Sequence, residues 1–385
     1  MQNVRIGIVG LGNMGKAHLA NIRAGKVPGL VVGALCESVG TLPALQGDEK
    51  GFTDVSAMIH SGAIDAILIC TPHFSHTPIG IEALKAGLHV LVEKPISVHK
   101  ADCERLIAAH TDKTRIFAAM FNMRTNATFK KVKDLLDSGE LGAVRRIHWE
   151  VTNWFRTNYY YATGGWRGTW KGEGGGVLMN QCPHNLDLFQ WMFGMPQRVR
   201  GFCQFGRFHQ VEVEDDVTAV FQYDNGATAT FVTSTGEAPG LNRLEIAAEQ
   251  GRLTVTDGVR IHFQRNRVPM SKFCMEAEAA FATPESWHMD IPVAESGGQH
   301  IEILQNFTNA ILKGEKLLSP AEEGIRSVEL ANATLLSTWL DRTIELPMQS
   351  AEYERILLEK GEKSTFQKTQ VVAKASADDF AKSFR

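Results

Sequence analysis

Short apolar runs and helically spaced segments alternate over the first third of the chain. Residues 4–9 are nearly all β-branched or small, the pattern of a buried strand. They run straight into Gly10, Gly12 and Gly15, and residues 16–22 continue with helical spacing. Further apolar runs fall at 30–36, 64–70, 88–92 and 116–120, with helical stretches at 78–86 and 99–110 between them. Thr71-Pro72 ends one strand and Gly87 stops one helix. Strands separated by helices predict βαβ units: one doubly wound parallel sheet with helices on both faces.

From Asn126 the pattern changes. Residues 127–136 read as an amphipathic helix, 138–142 as a turn, and 145–153 alternate as a strand. Residues 154–171 are aromatic and rich in glycine, with no clear period. A helix is predicted over 177–193, kinked or started late by Pro183, with Asn180 and His184 four apart on one face. Runs at 198–208, 217–223, 227–234, 243–248, 252–256 and 259–263 then predict a largely antiparallel sheet, with a hairpin turn at Asp224-Asn225-Gly226. Helices return at 299–312 and 320–340, and 360–385 is polar. The expected fold class is therefore α/β: an N-terminal Rossmann-type parallel sheet over 1–122, and an α+β domain with a large antiparallel sheet over 123–345. The second domain is expected to bind substrate and to oligomerise, with 346–385 a peripheral tail.

Composition narrows the class. The chain has 385 residues, 44% hydrophobic and 22% charged, with a net charge of −3. That is ordinary globular composition, and without a long basic block it gives no reason to expect a nucleic-acid or membrane partner. No apolar run is long enough to cross a bilayer. Six scattered cysteines without C-x-x-C spacing argue against a disulfide or metal framework, and reduced thiols suit the cytoplasm. The first strand begins within a few residues of Met1, so no signal peptide is expected.

The chemistry starts at the glycines. Strand, Gly10-x-Gly12-x-x-Gly15 and helix form a dinucleotide fingerprint: Gly10 for the turn, Gly12 for close approach of a pyrophosphate, Gly15 for helix–strand packing. Asn13 and Met14 lie within this turn and are expected at the cofactor, ahead of a helix whose N-terminus favours phosphate. Glu37 ends the second strand, where a carboxylate accepts from ribose hydroxyls and repels a 2′-phosphate; this favours NAD over NADP. Glu93-Lys94-Pro95 follows the fifth strand, so Lys94 is placed to reach a substrate on the nicotinamide side. His73 and His76 are three apart but lack a nearby carboxylate or thiol ligand, so no metal is expected. The rings of Trp154, Tyr159, Trp166 and their neighbours suit the apolar faces of sugars.

These residues carry a resemblance. The Gly10–Gly15 fingerprint, Thr71-Pro72 with His76, Glu93-Lys94-Pro95, Asn122-x-Arg124, Trp166-Arg167, and Gly174-Gly175-Gly176 with His184 and Asp187 keep the order and spacing of the Gfo/Idh/MocA oxidoreductase family over about 4–340. The resemblance implies that Thr71, Pro72, His73, His76, Glu93, Lys94, Asn122, Trp166 and Arg167 border the cofactor. It implies that Lys94, Arg124, Trp154, Tyr159, Asn180 and His184 meet the substrate. It places His184 as the catalytic histidine, acting as general base beside Lys94, with Asn180 orienting. Position 180 is commonly Asp in the family, so Asn180 takes a negative charge from beside His184.

The expected function is an NAD-dependent oxidoreductase acting on a secondary alcohol of a neutral sugar, glycoside or inositol, in a homodimer or homotetramer. Two alternatives carry the same cofactor: a glycoside-cleaving enzyme working by transient oxidation with tightly held NAD, and a non-catalytic NAD(H)-binding regulator. Lys94 and His184 together argue against the regulator.

Overall fold

Val4, Ile6, Ile8 and Val9 lie in β1 (Val4–Val9) and are all buried. The computed structural model describes residues 3–293 and 297–368. After β1 come α1 (Asn13–Arg23), β2 (Leu30–Cys36), β3 (Lys50–Phe52), α2 (Val55–Ile59), β4 (Ala66–Ile69), α3 (His76–Lys85), β5 (His89–Val92), α4 (Lys100–Ala109) and β6 (Phe117–Ala119). The six strands form one parallel sheet in the order β3-β2-β1-β4-β5-β6. The order reverses between β1 and β4, so a crevice opens beyond their carboxyl ends, where Gly10 and Thr71 follow. The doubly wound expectation holds; β3 and α2 are additions too short to show a period.

The chain then runs through α5 (Ala127–Asp137), β7 (Val144–Val151), α6 (Asn158–Ala162), α7 (Pro183–Phe193), β8 (Arg198–Phe205), β9 (Glu214–Gln222), β10 (Thr228–Ser234), β11 (Asn242–Ala248), β12 (Gly251–Thr256), β13 (Arg260–Asn266), α8 (Met270–Glu276) and β14 (Ser286–Ile291). It closes with α9 (Gln299–Lys313), α10 (Gly324–Leu340), β15 (Ile344–Glu345) and α11 (Ser350–Lys363). A nine-stranded sheet runs β14-β13-β12-β11-β7-β10-β9-β8-β15, with β7–β10 its one parallel pair. Val199, Phe221, Phe231 and Trp149 point to the buried face, while Phe202 points to the exposed one. Helices α7 and α10 cover the buried side: Phe189 of α7 stacks on Trp149, and the Gly201 N–H of β8 donates to Ser337 of α10.

Three expectations are corrected. Helix α9 does not belong with the second sheet: Ile303, Leu304 and Phe307 pack with Val4, Ile6, Ile8 and Leu19 against the parallel sheet, so 123–345 is not one contiguous unit. Periodicity reveals an apolar stripe but not the surface it covers. Second, 346–385 is not simply a peripheral tail. Tyr353 and Leu357, four apart on α11, are buried, and the Tyr353 ring stacks on Trp339 at 5.2 Å. Residues 369–385 lie outside the described residues. Third, the helix expected over 177–193 does start late, at Pro183, as that proline allowed, but this leaves Asn180 outside it. Proline suits the first helical position because that N–H has no partner within the helix anyway. Residues 177–182 form turns, so Asn180 and His184 do not share a helical face. No helix among the described residues is long and apolar enough to cross a membrane.

Candidate active site

The phosphate end of the crevice is built by the glycines. Gly10 has φ +85°, and a Cβ there would meet the Cys70 carbonyl at 2.8 Å. A Cβ on Gly15 would run into the Gly10 carbonyl, so this glycine seats α1 against the turn. A Cβ on Gly12 would meet nothing within 4 Å; it would point into open space before the N-terminus of α1. Among the described residues no side chain caps that helix, and no acidic residue sits in its first turn. Its leading N–H groups and positive dipole end are free for an anion, so these residues fit a dinucleotide pyrophosphate. Glu37 leans over the same turn, its carboxylate accepting from Leu11 N–H at 2.7 Å and Val39 N–H at 3.1 Å.

The far end is organised by the residues after β4 and β5. His76 is buried, with Nδ1 2.9 Å from the Pro95 carbonyl and Nε2 2.8 Å from the Thr71 carbonyl, and so ties the two loops together. His73 packs edge-on against Trp166 at 5.0 Å and lies 3.3 Å from the Glu173 carbonyl. Pro72 is exposed on the rim. Glu93 does not face the crevice: one oxygen pairs with His18 of α1 at 2.8 Å and the other accepts the Lys94 N–H at 3.2 Å. Against the cost of burial, His18, His300 and Lys94 hold this carboxyl down at about 2. Glu93 therefore serves the site by fixing α1 and the Lys94 backbone. His18, Cys70 and Glu93 have metal-like spacing, but His18 and Glu93 bond each other, and burial pushes the Cys70 thiol well up.

Lys94 extends from the β5 loop and donates through Nζ to the Asn180 carbonyl at 2.9 Å. Burial lowers its pKa; Glu93 and Glu173 oppose that shift, while Arg156 and Arg167 reinforce it. His184, near the start of α7, is 8% exposed, and its buried Nδ1 has no hydrogen-bond partner among the described residues. Its pKa lies well below the ordinary histidine value, first from burial and then from Lys94 and His300. The imidazole is therefore neutral at physiological pH and able to accept a proton, though a weaker base than its ordinary value implies. Asn180 gives its side-chain amide to the buried Glu173 carboxylate.

Arg124 is corrected outright. It is 2% exposed, and its guanidinium forks onto Asp187 with two 2.7 Å bonds while also reaching Glu323 at 2.6 Å. It locks the 122–125 turn to α7 instead of meeting substrate, and removing one partner of such a pair costs about 3–5 kcal/mol. Asn122, expected at the cofactor, turns its amide to Gln299 of α9 at 2.6 Å. The aromatic stretch divides in two. Tyr161 and Trp170 are core residues, Trp170 packing on Trp339 at 5.5 Å. Trp154 and Trp166 are half-buried and Tyr159 is exposed on α6, with Arg156 and Arg167 5.3 and 4.8 Å from the centre of the Tyr160 ring.

Two carboxyl groups escaped the sequence reading, Glu173 and Glu214. Neither has a periodic or motif signal; both show only as buried carboxyls around Gly174-Gly175-Gly176. Glu214 is fully buried and accepts from Gly176 N–H at 2.8 Å and Leu178 N–H at 3.1 Å, holding the turn that carries Asn180. Burial pushes its pKa up to about 8. The folded protein thus keeps a proton that the unfolded chain loses, so this group's stability contribution is full at low pH and falls between about 4.5 and about 8. Glu214→Gln keeps an acceptor for both N–H groups. Its melting temperature is expected to match wild type at pH 5 and exceed it above pH 8; equal melting temperatures at both would contradict the assignment.

Fold and crevice together define a dinucleotide-binding oxidoreductase. Residues 4–121 match the oxidoreductase family with an NAD-binding Rossmann fold, and residues 129–254 match the GFO/IDH/MocA C-terminal domain. The chain belongs to the GFO/IDH/MocA family. It is 25% identical to myo-inositol 2-dehydrogenase of Thermotoga maritima over 269 residues, 67% of this chain and 76% of that one. Some other curated relatives, inositol 2-dehydrogenases among them, are matched over 45% to 55% of their length. The fold is shared with the WlbA dehydrogenase of Bordetella pertussis, solved with NADH and UDP-GlcNAcA (24% identity, TM-score 0.75, 90% of this chain and 100% of that one). It is also shared with levoglucosan dehydrogenase, solved with NADH and levoglucosan (20% identity, TM-score 0.74, the same coverage).

Proposed function

We propose that the protein is an NAD-dependent dehydrogenase acting on a secondary alcohol of a neutral sugar, glycoside or inositol. The observation that carries this reading is Lys94, whose ammonium is held at the Asn180 carbonyl beyond the carboxyl end of β5, close enough to His184 to depress its pKa. Bound NAD supplies the hydride acceptor. Lys94 donates to the alcohol oxygen and stabilises developing negative charge there. His184, neutral and largely shielded from solvent, takes the hydroxyl proton. Glu37, with no cation in the residues that follow it, favours NAD over NADP. Trp154 and Trp166 offer apolar faces to a sugar ring.

The test is steady-state oxidation of a panel of cyclic polyols, sugars and glycosides with NAD, followed by NADH absorbance. Absence of turnover across the panel would count against the reading. One observation favours a second reading, a sugar bearing a carboxylate or phosphate: neither Arg156 nor Arg167 forms an ion pair among the described residues, and both lie close enough to Lys94 to lower its pKa. A uronic acid paired with its neutral parent sugar in the same panel decides between the two.

A further inference from the structure

Glu173 is a buried carboxyl that the cofactor cradle does not use. It sits in the irregular loop just before Gly174-Gly175-Gly176 and is 1% exposed. One oxygen accepts the Gly168 N–H at 2.6 Å, and the other accepts the Asn180 side-chain amide. The Asn180 carbonyl in turn receives Lys94 Nζ at 2.9 Å. A continuous line therefore runs from the Glu173 carboxylate through Asn180 to the ammonium at the reacting centre. Burying a carboxylate costs several kcal/mol unless it is paired. Among the described residues Glu173 has no ion-pair partner within salt-bridge distance, only these two neutral donors, so stability does not account for it. Asn180 is the residue it bonds, and that side chain brings no charge of its own.

We propose that Glu173 is the positioning carboxylate of this active site, carrying from seven residues upstream the negative charge that side chain 180 lacks. It holds Asn180 so that the Asn180 carbonyl fixes Lys94, and its charge offsets the cations gathered there. The inference rests on the reading of Lys94 and His184 as the acid–base pair. Asn180 is then an adaptor: its side chain bonds the carboxylate and its backbone bonds the lysine.

Charge around Glu173 comes from several elements. Lys94 follows β5; Arg167 and Tyr161 belong to the aromatic segment; Lys368 follows α11 and donates to the Gly164 and Arg167 carbonyls; Glu214 lies on β9. His73, against the Glu173 carbonyl, is neutral because burial lowers its pKa. Burial raises Glu173 to about 6, against the opposing pull of Asn180, Gly168, Arg167 and Lys368. The carboxylate is thus ionised at neutral pH and gains a proton as pH falls through about 6. Its loss of charge weakens support for the Lys94 ammonium.

The experiment compares wild type, Glu173→Gln, Asn180→Asp and the double variant Glu173→Gln/Asn180→Asp, which moves the carboxylate onto side chain 180. Readouts are kcat against pH on the best substrate, NAD affinity by fluorescence titration, melting temperature, and the titration of Lys94 by NMR of ¹³C-methylated lysine. Glu173→Gln is expected to lower kcat by about 10- to 100-fold, the range for groups that orient a functional side chain. NAD affinity and melting temperature should hold, the fall in rate near pH 6 should disappear, and Lys94 should titrate at lower pH. Asn180→Asp alone sets two carboxyls in contact, so one takes a proton at neutral pH and the rate falls. The double variant is expected to recover most of the lost kcat. Wild-type kcat and Lys94 titration in Glu173→Gln would overturn the inference, as would a double variant no faster than the single one. If Lys94→Ala keeps turnover, the acid–base reading itself fails; if Lys94→Ala is dead while Glu173→Gln behaves as wild type, this inference alone fails.

Discussion

Lys94→Ala is expected to lower kcat by about 10²–10⁴-fold, the usual worth of a positioned acid–base group. NAD affinity should stay within a few-fold of wild type. The separation follows from the architecture. The phosphate cradle is made by Gly10, Gly12, Gly15 and the start of α1, at the carboxyl end of β1. Lys94 instead follows β5 and bonds to the Asn180 carbonyl on the far side of the crevice. Its removal also deletes a positive charge that depresses His184. The histidine becomes a stronger base in the variant, yet nothing remains to stabilise the alkoxide. Lys94→Arg is not expected to rescue, because a longer, planar guanidinium does not place its donors as the Lys94 ammonium does at the Asn180 carbonyl. His184→Ala should cost a similar factor, again with NAD binding retained. Measurement of kcat and a fluorescence titration with NAD check both variants. Near-full activity in His184→Ala would move the base assignment to Tyr159 or Tyr160, since Tyr161 is buried in the core.

Gly12→Val is the second large effect. A Cβ at Gly12 meets no atom of the described residues within 4 Å, so the fold has room for a small side chain to start there. The space it enters lies before the uncapped first turn of α1, where the pyrophosphate must approach the backbone. Melting temperature is therefore expected to change little, while forced overlap costs about 1–3 kcal/mol, or roughly 5- to 150-fold in NAD affinity. Gly15 behaves differently: its Cβ would strike the Gly10 carbonyl, so a substitution there should cost stability as well as binding. A Gly12→Val protein that binds NAD as wild type does would remove the glycine turn from the cofactor site.

What could be read from the chain was mostly local. The strand, glycine turn and helix at 4–23 are neighbours in sequence, and their spacing alone places an anion site. The alternation of strands and helices likewise predicts a parallel sheet, and the later strand runs a second, antiparallel one, without fixing the strand order of either. Non-local pairing was not legible. Arg124 resembles a substrate cation until Asp187 and Glu323 take its guanidinium. The stripe on α9 predicts a helix, but only the fold shows it covering β1 instead of the second sheet. Asn180 and His184 have helical spacing, yet Pro183 takes the first helical position and leaves Asn180 on a turn, from which its backbone rather than its side chain reaches Lys94. Glu173 and Glu214 carried no signal, because a glutamate in a glycine-rich loop or at a strand start looks like a surface residue until it is buried.

The central claim is that this site moves hydride from a substrate carbinol to NAD, with Lys94 and His184 handling the proton. It is tested most directly with the best substrate of the panel, deuterated at the carbinol carbon under oxidation and incubated with wild-type protein and free NAD. The account predicts one deuterated NADH released for each ketone formed, with the deuterium on the nicotinamide ring, and loss of both products in Lys94→Ala. Substrate cleavage without release of reduced cofactor would contradict it, as would reduced cofactor whose new hydrogen comes from solvent.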